Sequence, residues 1–169
     1  MGVYLKYNNE TIGDVTEAQH KGWVEILDLD WNMTRSIRNA VGVGKNRESS
    51  SANVSELAIT KYIDSASHKF VTYAFTGQAK EAQIDFTRVN EGGETLIRTI
   101  VLKNAIMAKM ENSYTSRDQE KRLLEDTRPL EKISFNFTEI TISDYGEDLS
   151  GKPKGPSRVI YDLTQAKTL

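Results

Sequence analysis

Hydrophobic and polar residues alternate with a period of two along most of this chain, and the main departure from that rhythm locates its one expected helix. Val3, Leu5 and Tyr7 alternate with Tyr4, Lys6 and Asn8, which predicts a half-buried first strand. A second strand is expected over residues 23–33. It puts Trp23, Leu27, Leu29, Trp31 and Met33 on one face and Val24, Ile26, Asp28, Asp30 and Asn32 on the other. That second face turns from apolar to acidic midway, as in a strand that leaves a two-sided interior for a surface wetted on one side. Val54, Leu57, Ile59 and Ile63 mark a third strand, in which period two holds only if Lys61 packs its stem inside. The rhythm then changes. Asp64, Ser65 and Ser67 can accept hydrogen bonds from free helix amides. Phe70, Val71, Ala74 and Phe75 fall on one face of a short helix, packing it on the sheets, and Gly77 stands where a left-handed C-cap is expected.

Downstream, Ala82, Ile84 and Phe86 alternate with Gln83, Asp85 and Thr87. A tight turn over residues 90–93 returns the chain antiparallel over 94–103. Asn104 interrupts that run and residues 105–110 resume it. Residues 113–129 are charged and read as an exposed loop with at most one turn of helix. Ile133, Phe135, Phe137, Ile140 and Ile142 alternate again, with a change of register near Thr138 that predicts a bulge. Residues 157–163 form the last strand. The expected architecture is mainly β: an antiparallel sandwich or closed barrel of about eight strands with one short α-helix, in a single domain over residues 1–169.

Residues 34–52 break the pattern. Nineteen residues without strong periodicity are long for a loop in a compact domain, so the segment is either functional or disordered. It holds Arg35, Arg38, Lys45 and Arg47 against one acid, Glu48, with Ile37, Val41 and Val43 among them, a composition suited to an arm that packs on something.

Composition narrows the function classes. Lys and Arg number 22 against 24 Asp and Glu, a net charge of −2, so no global basic field points to nucleic acid. The absence of Cys excludes disulfides, thiol catalysis and cysteine zinc sites. No apolar run reaches signal-peptide or membrane-span length, which leads us to expect a cytoplasmic protein that, if exported, leaves without a cleaved address. The run Gly42-Val43-Gly44-Lys45 hints at a phosphate loop, but Asn39 and Asn46 stand where that motif needs Gly and Ser or Thr. His20, near Asp14 and Glu17, could bind a metal, although a lone imidazole without fixed spacing is weak grounds; His68 reads as solvated. Asp28 and Asp30, about 7 Å apart along a strand, could form a hydrolytic carboxylate pair, yet a solvated strand face explains them more simply. Trp23 and Trp31 read as core. No catalytic site and no cofactor are expected.

The segment TKYIDSAS with its short Gly-terminated helix, preceded by VEILDLDWNM and followed near the end by EKISFNFTEITISDY, resembles the hemolysin-coregulated protein (Hcp) family. The resemblance runs over nearly the whole chain and is most specific at residues 61–64. It departs at His68, where members often carry Pro, and in the charged residues 116–128. It implies a tube protein of the type VI secretion system, with a fold shared by phage tail-tube proteins. It further implies homohexameric rings that stack inside a sheath, meet a spike and carry effectors, with assembly in the cytoplasm before secretion. In such a ring the wet strand face, Asp28, Asp30 and Asn32, is the candidate channel lining. The arm carrying Arg35, Arg38, Val41, Val43, Lys45 and Arg47 is the candidate contact to the next ring, with the acids at 144–148 or 125–126 as its counterpart. The alternative from another class is a monomeric β-sandwich that binds a carbohydrate or peptide.

Overall fold

The computed structural model describes residues 1–39, 47–49, 51–90, 93–113, 128–146 and 154–169. Among them the chain forms fourteen strands and one helix. In order these are β1 (Gly2–Tyr7), β2 (Val24–Glu25), β3 (Asp28–Asp30), β4 (Met33–Thr34), β5 (Ile37–Asn39), β6 (Arg47–Ser49), β7 (Asn53–Val54), β8 (Leu57–Tyr62), α1 (Ser67–Thr76), β9 (Lys80–Asn90), β10 (Gly93–Ser113), β11 (Leu130–Asn136), β12 (Glu139–Asp144), β13 (Ser157–Asp162) and β14 (Lys167–Thr168). Every pairing is antiparallel, as the short polar turns imply. The class is the expected one; the number of strands is higher because long alternating runs bend and change partners.

Residues 23–33 show this best. They do not form one strand with a constant face. β2 pairs with β1, β3 pairs with β8, and β4 pairs with β7. At the first bend the Ile26 amide donates to the Val3 carbonyl at 2.9 Å, and the next amide, Leu27, donates to Thr60 at 2.8 Å. The main ladder runs β2-β1-β9-β10-β11-β8-β3, and β2 and β3 do not pair with each other. The covalent chain at residues 26–27 spans that gap. Because the strand turns there, Val24 and Ile26 are core while Leu27 and Met33 are exposed, contrary to the continuous face expected.

A second corner bends β10 against its partner. Residues 98–103 pair with β12 and residues 106–113 with β11, so β11 and β12 follow one long strand around a turn. Asn104 takes a left-handed φ of 51°, which Asn tolerates better than most residues. Its amide donates to Thr138 Oγ1 at 2.9 Å, and the Thr138 N–H donates to the Lys103 carbonyl at 3.1 Å. The register change near Thr138 is thus a corner between two strands, where a bulge was expected.

The core is built from cross-strand rows. Leu5, Ile84, Ile100 and Ile142 lie in one register across β1, β9, β10 and β12, with Tyr7, Ala82, Leu102 and Ile140 in the next. Leu57 and Ile59 of β8 meet Phe135 and Ile133 of β11 on the other side. Helix α1 closes the end. Ala66, Phe70, Tyr73 and Ala74 face the core at helical spacing. Phe75 does not pack: at 87% exposure it points into solvent, and Val71 is only half-buried. At 100° per residue Phe75 stands about 140° around the helix from Phe70, and Tyr73 takes the place assigned to it. Gly77 ends the helix at φ 61°, its amide bonded to the Tyr73 carbonyl at 3.0 Å, as expected.

Candidate functional site

Two polar surfaces and two polar clusters arise from this fold. The first surface is the outer face of β3, β8, β11 and the end of β10. Leu29 packs on the core, so Asp28 and Asp30 point out and are exposed, as period two requires, and Asn32 beyond the strand is exposed too. In register beside them lie Ala58 and Thr60, then Lys132 and Ser134, then Glu111 and Lys109. Short and charged side chains therefore tile a sheet face whose opposite side is core. Lys109 and Glu111 pair at 2.8 Å, while Lys132 stands 3.7 Å from Asp30 with both largely solvated. Asp28 and Asp30 sit on this open face, which does not enclose a substrate as a carboxylate pair requires.

The second surface is the arm. Residues 34–52, expected to lack regular structure, contain short ladders among the described residues: β4 pairs with β7 at the base and β5 with β6, with Arg38 opposite Glu48 and Asn39 opposite Arg47. Arg35 is exposed and borders an apolar groove lined by Trp31, Met33, Val54, Val159 and Tyr161. Val41, Val43 and Lys45, and the near-miss phosphate loop with them, lie outside the described residues. Of the acids set against the arm, Asp144 is engaged within the chain. Arg98 Nη2 donates to its Oδ2 at 2.9 Å, and that bond holds the Asp144 carboxyl below the usual range. Residues 125, 126, 147 and 148 fall outside the described set.

The first cluster gives residues 61–64 their meaning. Lys61 is wholly buried, and its ammonium donates to Glu131 Oε1 at 2.6 Å, Asp64 Oδ1 at 2.8 Å, Ser67 Oγ at 3.2 Å and the Tyr62 carbonyl at 2.6 Å. Ser67 Oγ donates to Glu131 Oε1 at 2.7 Å, and Asp64 Oδ1 accepts the Ala66 amide at 2.9 Å. The N-cap residue is Ala66, without a side-chain cap, so Asp64 and Ser67 order the helix start through this network. Farther along, Tyr73 donates to Glu10 at 2.6 Å and Ser65 Oγ donates to Asp14 at 2.6 Å, tying α1 and its approach to the loop after β1. These bonds are the main cause that lowers the Glu10 and Asp14 carboxyls.

The second cluster covers the outer face of β1 and β9. His20 is buried, stacked on Tyr4 at 4.7 Å and edge-on to Trp23 at 4.8 Å. Its Nδ1 lies 2.7 Å from Glu17 Oε2 and its Nε2 3.1 Å from Asp85 Oδ2. The expected neighbour Glu17 is present; Asp14 instead serves Ser65. Alternation sets Tyr4 and Asp85 opposite the core-facing residues of their strands. They are buried because residues 10–23 fold back over them, which local alternation does not record. His68 is exposed on the first turn of α1. Among the described residues no helix is long and apolar enough to cross a membrane.

Solved structures share this fold. "Structure of a type six secretion system protein" superposes with a TM-score of 0.83 at 22% identity, covering 99% of each chain. Hcp1 from Salmonella typhimurium gives 0.73 at 20% identity, covering 99% of this chain and 98% of that one. A type VI secretion system effector from Yersinia pestis gives 0.70 at 20% identity, covering 95% and 98%. At such identities the likeness speaks for the fold alone. No curated protein matches the sequence significantly. The family model described as "Type VI secretion system effector, Hcp" matches residues 4–143, most of the chain, and with it the Lys61–Asp64 network and the strands that frame it. The chain therefore belongs to the Hcp family of type VI secretion tube proteins.

Proposed function

We propose that this chain is the structural subunit of a tube made of stacked homohexameric rings, with a single domain per subunit. The observation that supports the reading is the open polar face of β3, β8, β11 and β10. A sheet with core on one side and short polar or charged residues on the other suits the wall of a water-filled channel. The edges favour assembly too: among the described residues no strand pairs with the free edge of β10 over residues 106–113. Closed rings of identical subunits remove such edges from solvent. The tube would meet sheath, spike and effector proteins of the secretion machine and leave the cell with or around its cargo. The arm would reach the neighbouring ring, where Arg35, Arg38 and Arg47 would fix polarity and register through charge. No catalytic role is assigned.

Light scattering on the purified chain tests the ring, with about six chains per particle expected; a monomer would favour the solitary binding protein. Cysteines introduced as Asp28→Cys and Asp30→Cys then locate the face. A small maleimide labels both in any state, whereas a bulky polymer maleimide labels free subunits but not stacked tubes. Equal polymer labelling in tubes would place the face on the outer wall. The double change Arg38→Glu with Arg47→Glu is expected to spare rings and abolish tubes.

A further inference from the structure

We infer that Glu17, His20 and Glu94 form a binding site for a first-row divalent transition-metal ion, with Asp85 orienting the histidine. One donor atom from each of Glu17, His20 and Glu94 lies within 4.8 Å of the other two. The argument starts at the far side of the ring. His20 Nε2 faces Asp85 Oδ2 at 3.1 Å, and Asp85 is itself fixed by Thr99 Oγ1 at 2.9 Å and Gln83 Nε2 at 3.1 Å. A carboxylate held in this way can take the Nε2 hydrogen and free Nδ1 to act as a ligand, the arrangement that metal-ligating histidines adopt. Nδ1 lies 2.7 Å from Glu17 Oε2, an oxygen that also accepts the His20 amide at 2.9 Å. At that distance the two atoms share a proton or, once Glu17 shifts outward by a few tenths of an ångström, a cation that both ligate.

Glu94 shifts the choice toward the cation. Its two oxygens accept from Tyr4 at 2.9 Å and Thr87 at 3.2 Å, which holds the carboxylate beside the imidazole instead of letting it swing to solvent. The groups facing the ring are then Glu17, Asp85, Glu94, Tyr4 and Trp23, with Glu25 acting on Tyr4 and Lys6 lying over the Trp23 ring. Three carboxylates thus lie around one imidazole, and three of these four groups bring one donor atom each within 4.8 Å of the others, a spacing that a divalent ion can bridge. An imidazole nitrogen with two carboxylates suits Zn²⁺ or Mn²⁺ better than Mg²⁺ or Ca²⁺, which prefer oxygen alone. Glu17 is partly exposed, so solvent can complete the coordination and an ion has a way in. The site joins loop residues 17–20 to β9 and β10 and draws all its ligands from one chain.

The test is a calorimetric titration of the chelator-treated full chain with ZnCl₂, in two buffers of different ionisation enthalpy. One saturable ion per chain is expected, with proton release on binding and an affinity that weakens as pH falls. Glu17→Gln and Glu94→Gln should each weaken Kd by about tenfold or more, and Asp85→Asn by about 10–100-fold. His68→Gln should leave Kd unchanged. MgCl₂ should give no comparable binding. Glu17 lies near the surface, so its variant stays interpretable even if the more buried changes unfold the chain. Absence of saturable Zn²⁺ binding to the wild type would overturn the site, and so would binding that Glu17→Gln leaves intact.

Discussion

Lys61 and Lys132 stand on neighbouring strands one rung apart, since Lys61 faces Glu131 across the ladder and Thr60 faces Lys132. Period two sends them to opposite sides of the sheet. Lys61 enters the space beneath α1, where it is 0% exposed and held by two carboxylates, a hydroxyl and a carbonyl. Lys132 emerges on the open face, 44% exposed, with Asp30 3.7 Å away and itself 69% exposed. The same residue type is a structural fastening in one place and a solvated charge in the other. What differs is the medium: a buried ammonium has lost its water and depends on its partners, whereas an exposed one keeps its water whether or not a partner is near.

The largest effects should come from breaking the buried side. Glu131→Gln or Lys61→Met alone leaves a charge without its main partner and should cost about 3–5 kcal/mol in denaturant unfolding. The double variant Lys61→Met with Glu131→Leu should lose less than either single change, because no orphan charge from that pair remains. A double loss equal to the sum would show that the pair is not coupled as described. Phe70→Ala, under the same helix, should cost about 3–5 kcal/mol. Phe75→Ala sharpens the contrast, since removing an exposed ring should change stability by under about 0.5 kcal/mol. A melting-temperature drop at Phe75 as large as that at Phe70 would mean the helix is turned differently.

Acid provides an intermediate effect. Glu10 and Asp14 have folded values lowered chiefly by their bonds to Tyr73 and Ser65. Their stabilisation is therefore complete above the unfolded carboxylate range near pH ~4 and is lost as pH falls through the lowered folded values. Thermal melts between neutral and strongly acidic pH should show that loss, and Tyr73→Phe should flatten its Glu10 part. The smallest change is expected on the open face: Lys132→Ala should alter stability by about 0–1 kcal/mol, with any effect shrinking as salt is added. A loss there comparable to that of Lys61→Met would erase the contrast between the two lysines.

Parts of this picture were legible in the chain itself. Leu57 and Ile59 read as inward because strand geometry forces alternate side chains to one face, and the condition placed on Lys61 followed from the same rule. Gly77 read as a helix end because few other residues adopt a left-handed backbone cheaply. Asp28 and Asp30 read as outward for the reason Leu29 read as inward. The local pattern therefore determined the mainly β class, the place of helix α1 and the polarity of the open face. Tertiary structure decided what depends on distant partners. The bend at residues 26–27 arises because consecutive amides bond to β1 and β8, which alternation cannot express. Glu131 becomes the partner of Lys61 only through the register of β8 on β11, seventy residues away along the chain. Tyr4, His20 and Asp85 are buried only because a loop folds over a sheet face whose own pattern is polar. A side chain's periodicity is set by its own backbone, but its burial and its charge partner are set by whatever the fold brings against it.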